Sequence, residues 1–171
     1  EDHSMHVPFS PSWFREDARV YNHDLAKLSL GLATSAFRPN KNLADESRAP
    51  DYNLRSFLDQ AGFTDLRSDD YDKDPSMYTV STVSGHRTVR DGNDSFELIA
   101  VGICGQGYMD EWESNLTVGT GRHPEGFSKA AHLVYDRVFG YISEKHLSGN
   151  MKIWVSGFSR AAAVSNITAA L

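Results

Sequence analysis

The carboxyl-terminal half of the chain alternates strand and helix signals, and that order constrains the fold more than any other feature. Residues 96–104 (FELIAVGIC) form a mostly apolar run, as expected of a central strand covered on both faces. Residues 127–147 place Phe127, Ala130, Ala131, Val134, Val138, Tyr141 and Ile142 at helical spacing, and Gly149-Asn150 ends the pattern. Residues 151–156 form a second buried strand and residues 160–171 a second long helix. Two strands joined by a helical crossover lie parallel, so the order implies an α/β fold.

Upstream, residues 12–37 read as one long helix, with Ala18, Tyr21, Leu25, Leu28, Leu32 and Ala36 at helical spacing. A polar loop, 38–50, leads to a short helix at 52–61 with Leu54, Phe57, Leu58 and Ala61 on one stripe. Gly62 suits the position just past its end. Residues 65–75 read as an acidic loop. Asp70, Asp72 and Asp74 imitate the start of an EF-hand, but Pro75 and Ser81 stand where that loop needs Gly and Glu. A solvated loop therefore explains the run better than a calcium site. Strands follow at 77–83 and 86–90, with Gly85 marking a bulge, and Asp91-Gly92-Asn93-Asp94 is a turn.

The chain has 171 residues, enough for one domain with a core. Its 23 acidic and 17 basic side chains give a net charge of −6, which argues against a nucleic-acid partner. It contains no apolar run long enough for a transmembrane segment. The single cysteine, Cys104, excludes an internal disulfide.

Between the second strand and its helix lies Gly157-Phe158-Ser159-Arg160-Ala161, a G-x-S-x-[G/A] corner. That pattern gains meaning where a strand precedes it and a helix follows, because the sharp turn then exposes a strained serine hydroxyl. The residues two before and two after the serine crowd each other, and Gly157 and Ala161 are both small. The helix amino terminus and the Arg160 N–H face the place where an oxyanion would develop. The competing reading is a serine that merely caps the helix.

Three further blocks stand in order before this corner. They are Ile103-Cys104-Gly105-Gln106, then Glu111-Trp112 with Ser114-Asn115-Leu116, then His123-Pro124-Glu125-Gly126-Phe127. With Gly157–Ala162 they resemble the F-R-G-T, acidic-Trp, H-x-G-F and G-H-S-L-G-G phrases of the class 3 (fungal-type) lipases of the α/β-hydrolase fold. The likeness is greatest to their divergent bacterial branch and covers residues 53–171. The resemblance implies an α/β-hydrolase-like, mostly parallel sheet beginning near residue 51, behind a helical amino-terminal segment (1–50). It also implies that the chain is the amino-terminal portion of a longer hydrolase. Ser159 would be the nucleophile, and the backbone N–H groups of Arg160 and Gln106 the oxyanion donors. Trp112 and Phe158 would lie on the substrate side, with an acyl-ester or lipid substrate and neither metal nor organic cofactor. Gln106 replaces the family's Thr or Ser, Phe158 its His, and Arg160 its Leu. The Arg160 side chain suits either a polar head group or an acidic neighbour, and Trp112 either an acyl pocket or a core anchor.

A serine nucleophile needs a base, and in the resembled family Asp and His follow it in the chain. No Asp, Glu or His follows Ser159, and all seven histidines (His3, His6, His23, His86, His123, His132, His146) precede it. The expectation is therefore a serine hydrolase of the lipase or esterase type whose acid and base lie beyond residue 171. The alternative is a catalytically silent binding or assembly module. The isolated 171 residues should be inactive, with an open sheet edge at 151–156 that favours association.

Overall fold

The computed structural model describes residues 7–15, 17–38, 48–71, 79–105, 116, 119, 121 and 123–171. The apolar run at its centre is strand β3 (Asp94–Cys104), with strands on both sides. Side chains alternate across a strand, and here both faces are dry. Phe96, Leu98, Ala100 and Cys104 join one core with helices α1 (His23–Ser35) and α2 (Tyr52–Gln60). Ile99, Val101 and Ile103 join a second core with helices α3 (Glu125–Glu144) and α4 (Arg160–Ala170). The result is three layers, with helices over each face of one four-stranded sheet.

The sheet order is β1-β2-β3-β4, where β1 is Thr64–Asp69, β2 is Ser81–Asp91 and β4 is Met151–Gly157. β1 and β2 pair antiparallel, as do β2 and β3, while β3 and β4 pair parallel. The expectation of an α/β-hydrolase-like, mostly parallel sheet is therefore incorrect: the sheet is mixed, with one parallel pairing among three. The physical reason lies in the connections. β2 returns into β3 through the two-residue loop Gly92-Asn93, with Asp91 opposite Asp94 and Gly92 at φ +62°. So tight a loop joins only antiparallel strands, whereas α3 supplies the crossover that a parallel pair requires.

Residues 12–37 do not form one helix. A 3-10 turn at Pro11–Phe14 precedes α1, which starts only at His23. The Asn22 side chain accepts from the Leu25 N–H at 2.9 Å, and Asp17 accepts from the Arg19 N–H at 3.0 Å. Short polar side chains that satisfy nearby backbone donors compete with helix propagation. α2 ends as expected. Gly62 (φ +77°) donates to the Asp59 carbonyl and Phe63 to that of Leu58, both at 2.9 Å, which is a Schellman closure.

The acidic loop expected from residue 65 is instead the edge strand β1 as far as Asp69. Its charges tie layers together: Arg67 bonds Glu144 at 3.0 Å, Asp69 at 3.1 Å and the Arg137 carbonyl at 2.7 Å. Asp70 pairs with the largely buried Arg137. Burial lowers the Arg137 pKa, and the neighbouring Asp70 opposes that shift. Asp72 and Asp74 lie outside the described residues. The bulge at Gly85 is present, but the extra residue belongs to β1, where Asp65 and Leu66 face Gly85 between the pairs Thr64–His86 and Arg67–Ser84. A Cβ on Gly85 would lie 2.5 Å from Leu66 Cδ2.

Among the described residues β4 pairs with β3 alone, and Ile153 on it is 47% exposed. A groove of about 870 Å³ runs beside it, between the segment around Trp13–Leu25 and Ala169. Among the described residues, no helix is long and apolar enough to cross a membrane.

One contact tests how tightly the α2 layer meets the sheet. A Cβ on Gly102 would lie 2.5 and 2.7 Å from the two methyl carbons of the buried Leu54. Gly102→Ala is expected to cost about 1–3 kcal/mol by overpacking, and Leu54→Ala about 2–5 kcal/mol through its cavity. In the double variant the methyl enters that cavity, so the combined loss should be smaller than the sum. Denaturant unfolding of the four proteins reads the difference, and simple additivity would refute the contact.

Candidate active site

Register places the corner. Ile103 pairs with Gly157 across β3 and β4, so Cys104-Gly105 leaves β3 level with Phe158-Ser159 at the same end of the sheet. α4 then starts at Arg160, and the Ser159 carbonyl accepts from the N–H groups of Ala162 (3.0 Å) and Ala163 (3.3 Å). The strand, turn and helix expected around Ser159 are all present.

The turn itself is tight. The Ala161 N–H donates to the Phe158 carbonyl at 3.0 Å, which closes a four-residue turn over Ser159 and Arg160. Ser159 has φ 55° and ψ −118°. That pair belongs to the first central position of a type II′ turn, where glycine is the usual occupant. A serine held there stores of order 1–3 kcal/mol of backbone strain. The two flanking residues approach closely: a Cβ on Gly157 would lie 2.6 Å from Ala161 Cβ and 2.9 Å from its backbone carbon and oxygen. Backbone atoms cannot swing aside, so strand and helix meet this closely only with glycine at 157.

The hydroxyl is exposed and does not cap the helix. Among the described residues, no side chain hydrogen-bonds it. Ser159 therefore does not act as a side-chain cap of α4.

Arg160 is 5% exposed and turns inward. Its Nη2 donates to the Gly126 carbonyl at 3.2 Å, and its guanidinium lies 5.2 Å from the Phe127 ring centroid. The side chain therefore ties the start of α4 to the start of α3. Its backbone N–H is among the first-turn donors that point out of the helix along the axis. Phe158 stands on the surface beside Ser159. Gln106 and Trp112, with Glu111, lie outside the described residues.

The histidines are elsewhere. His86 sits in mid-sheet opposite Ile99, and its Nδ1 lies 2.8 Å from the Tyr141 hydroxyl. That hydroxyl also donates to the Asp65 carbonyl at 3.1 Å. Burial raises the Tyr141 pKa well above the ordinary phenol range. His23 Nδ1 meets the Tyr21 hydroxyl at 3.0 Å at the start of α1. His132 and His146 are exposed on and just after α3, and His123 is exposed three residues before Gly126. None of the described histidines hydrogen-bonds Ser159.

Several residues near the corner were not found from the sequence. The Trp154 indole N–H donates to Ser29 Oγ at 2.9 Å, and Ser156 Oγ to the Ser29 carbonyl at 2.9 Å, which locks α1 along β4. Phe37, just past α1, meets Phe158 with ring centroids 5.2 Å apart. Tyr71 is buried beyond β1; burial first, and then the neighbouring Cys104, push its pKa far above the ordinary phenol range. In the sequence Phe37 figured only as the last residue of the helix expected over 12–37, whose apolar stripe ended at Ala36.

Comparison of the chain with protein-family models, with curated proteins and with solved structures gave no match.

The strain at the corner has a measurable signature. Ser159→Gly should be more stable than Ser159→Ala by about 1–2 kcal/mol, because only glycine occupies this turn position freely. In a chain of this size that raises Tm by roughly 2–8 °C between the two variants. Calorimetry in the reverse order would mean that the corner is unstrained.

Proposed function

We propose that the protein is a serine hydrolase acting on acyl esters, with Ser159 as its nucleophile. One observation carries this reading. An exposed serine stands at φ 55°, ψ −118° between a strand and a helix that approach closely at Gly157 and Ala161, and its hydroxyl is not used to cap that helix. The resemblance of the four ordered phrases to lipases supports the same chemistry and does not depend on the sheet being parallel.

In the proposed reaction, Ser159 Oγ attacks the ester carbonyl and loses its proton to a general base. The Arg160 N–H, with the Gln106 N–H as the second donor, stabilises the tetrahedral oxyanion. The alcohol leaves with a proton returned by the base. Water then attacks the acyl-serine, and the acid is released. The base and its orienting carboxylate are supplied from outside residues 1–171. Among the described residues no histidine hydrogen-bonds Ser159, and His23 and His86 meet tyrosine hydroxyls instead.

A second reading has its own support: no described side chain hydrogen-bonds the Ser159 hydroxyl. On that reading the corner belongs to a catalytically silent module used for binding or assembly.

A fluorophosphonate probe separates the two. The full chain should be labelled at Ser159, and Ser159→Ala should abolish labelling and lower p-nitrophenyl ester turnover by at least about 10³-fold. Residues 1–171 alone should show no turnover. Absence of labelling, or labelling that survives Ser159→Ala, would sink the nucleophile and leave the silent module.

A further inference from the structure

We infer that Cys104 is a site of oxidation by hydrogen peroxide, and that the buried Tyr71 hydroxyl is the hydrogen-bond donor that holds the sulfenic acid so formed. The inference does not depend on the role of Ser159.

The sheet sets the two residues side by side. Asp69 pairs with Thr82 and Ser81 pairs with Cys104, so the chain leaving β1 is level with the carboxyl end of β3. The Ser81 hydroxyl donates to the Asp70 carbonyl at 3.0 Å, which holds that exit against β2. Tyr71 and Cys104 then join the same core, on the face covered by α1 and α2. Two strand spacings of about 4.8 Å separate β1 from β3, and a tyrosine and a cysteine side chain together span that gap. The Tyr71 hydroxyl comes within reach of the Cys104 sulfur.

The pair leaves one polar group unsatisfied. Tyr71 is 6% exposed, and its hydroxyl completes no hydrogen bond among the described residues. The Cys104 thiol donates elsewhere, to the Gly105 carbonyl at 3.2 Å. Burial first, and then the neighbouring Cys104, hold the Tyr71 pKa above the ordinary phenol range, so the hydroxyl keeps its proton. It is a buried donor in want of an acceptor, which is a costly state. A thiol sulfur accepts only weakly, whereas a sulfenic oxygen accepts as a hydroxyl does.

Oxidation supplies that acceptor. The Cys104 sulfur attacks one oxygen of hydrogen peroxide, the S–O bond forms and the O–O bond breaks. Sulfur gives up an electron pair, which the peroxide takes, and the thiol proton leaves with the departing hydroxide as water. The products are Cys104 sulfenic acid and water. Cys104 is 7% exposed, which shuts out a bulky disulfide and leaves small oxidants. Residues 1–171 hold no second cysteine, so the sulfenic acid cannot condense to an internal disulfide. Its lifetime against further oxidation to the sulfinic acid is set by the groups around it, and Tyr71 is the donor placed there.

The test treats the full chain with hydrogen peroxide, unfolds it in dimedone to trap sulfenic acid, and maps the adduct by mass spectrometry. Cys104 should carry the adduct, and Cys104→Ser should carry none at that position. Tyr71→Phe keeps the ring and removes only the hydroxyl. It should lower the yield of trapped sulfenic acid at least about five-fold, with sulfinic acid in its place. Before oxidation, Tyr71→Phe should unfold at a denaturant midpoint no lower than that of the unsubstituted protein, because the lost hydroxyl had no acceptor. A lower midpoint would show that the hydroxyl is already bonded in the reduced protein, and would overturn the inference. So would a Cys104 that peroxide leaves unoxidised, or a sulfenic acid yield that Tyr71→Phe does not change.

Discussion

The parallel contact between β3 and β4 is the constraint on which the candidate site depends. Pairing Ile103 with Gly157 brings the outgoing ends of two strands to the same level. β3 can sit there because it is apolar on both faces, with Leu98 and Ala100 toward α1 and α2, and Ile99 and Val101 toward α3 and α4. A parallel pair needs its crossover out of the sheet plane, and the chain leaving β4 turns directly into α4. The close approach of Gly157 and Ala161 accompanies that turn, as does the Ser159 conformation.

The two helical layers play different parts at this corner. α3 and α4 sit on the face where Arg160 reaches Gly126 and Phe127, so the amino termini of both helices are tied by one buried guanidinium. A buried arginine with a carbonyl and an aromatic face as neighbours acts here as a spacer of defined length, and Lys would not reproduce its planar fork. α1 and α2 sit on the other face and contribute side chains, not main-chain donors. What one layer holds rigid, the other furnishes with apolar surface.

Sequence patterns revealed the elements with strong periodicity or strong punctuation. β3, β4, α3 and α4 all lie within a few residues of their expected places, as does α2 with Gly62 past its end. The corner at Ser159 was legible because its signal is local: small residues at fixed offsets around one serine. The parallel direction of β4 against β3 was legible from the helix between them, but the resemblance to lipases extended it to a mostly parallel sheet, which the Gly92-Asn93 hairpin denies. β1 was missed because its charged side chains bridge to α3, so Arg67 and Asp69 read as solvated. The break before α1 was missed because Asp17 and Asn22 act through side-chain to backbone bonds that periodicity does not register. The aromatic pair was invisible for a different reason: Phe37 and Phe158 are 121 positions apart, and only the lie of α1 along β4 unites them.

That lie of α1 rests on one small residue used twice. Ser29 receives the Trp154 indole on its hydroxyl and the Ser156 hydroxyl on its carbonyl. The first tie is written in the side chain and can be erased by a single substitution at position 29. The second belongs to the main chain and is beyond the reach of any change at that position short of moving the helix. A helix fastened in this way has a side-chain link that drift can test and a backbone link that drift at the same codon cannot. The orientation of α1, and with it the position of the ring at 37, is therefore insured against the most common kind of genetic change at its own anchor.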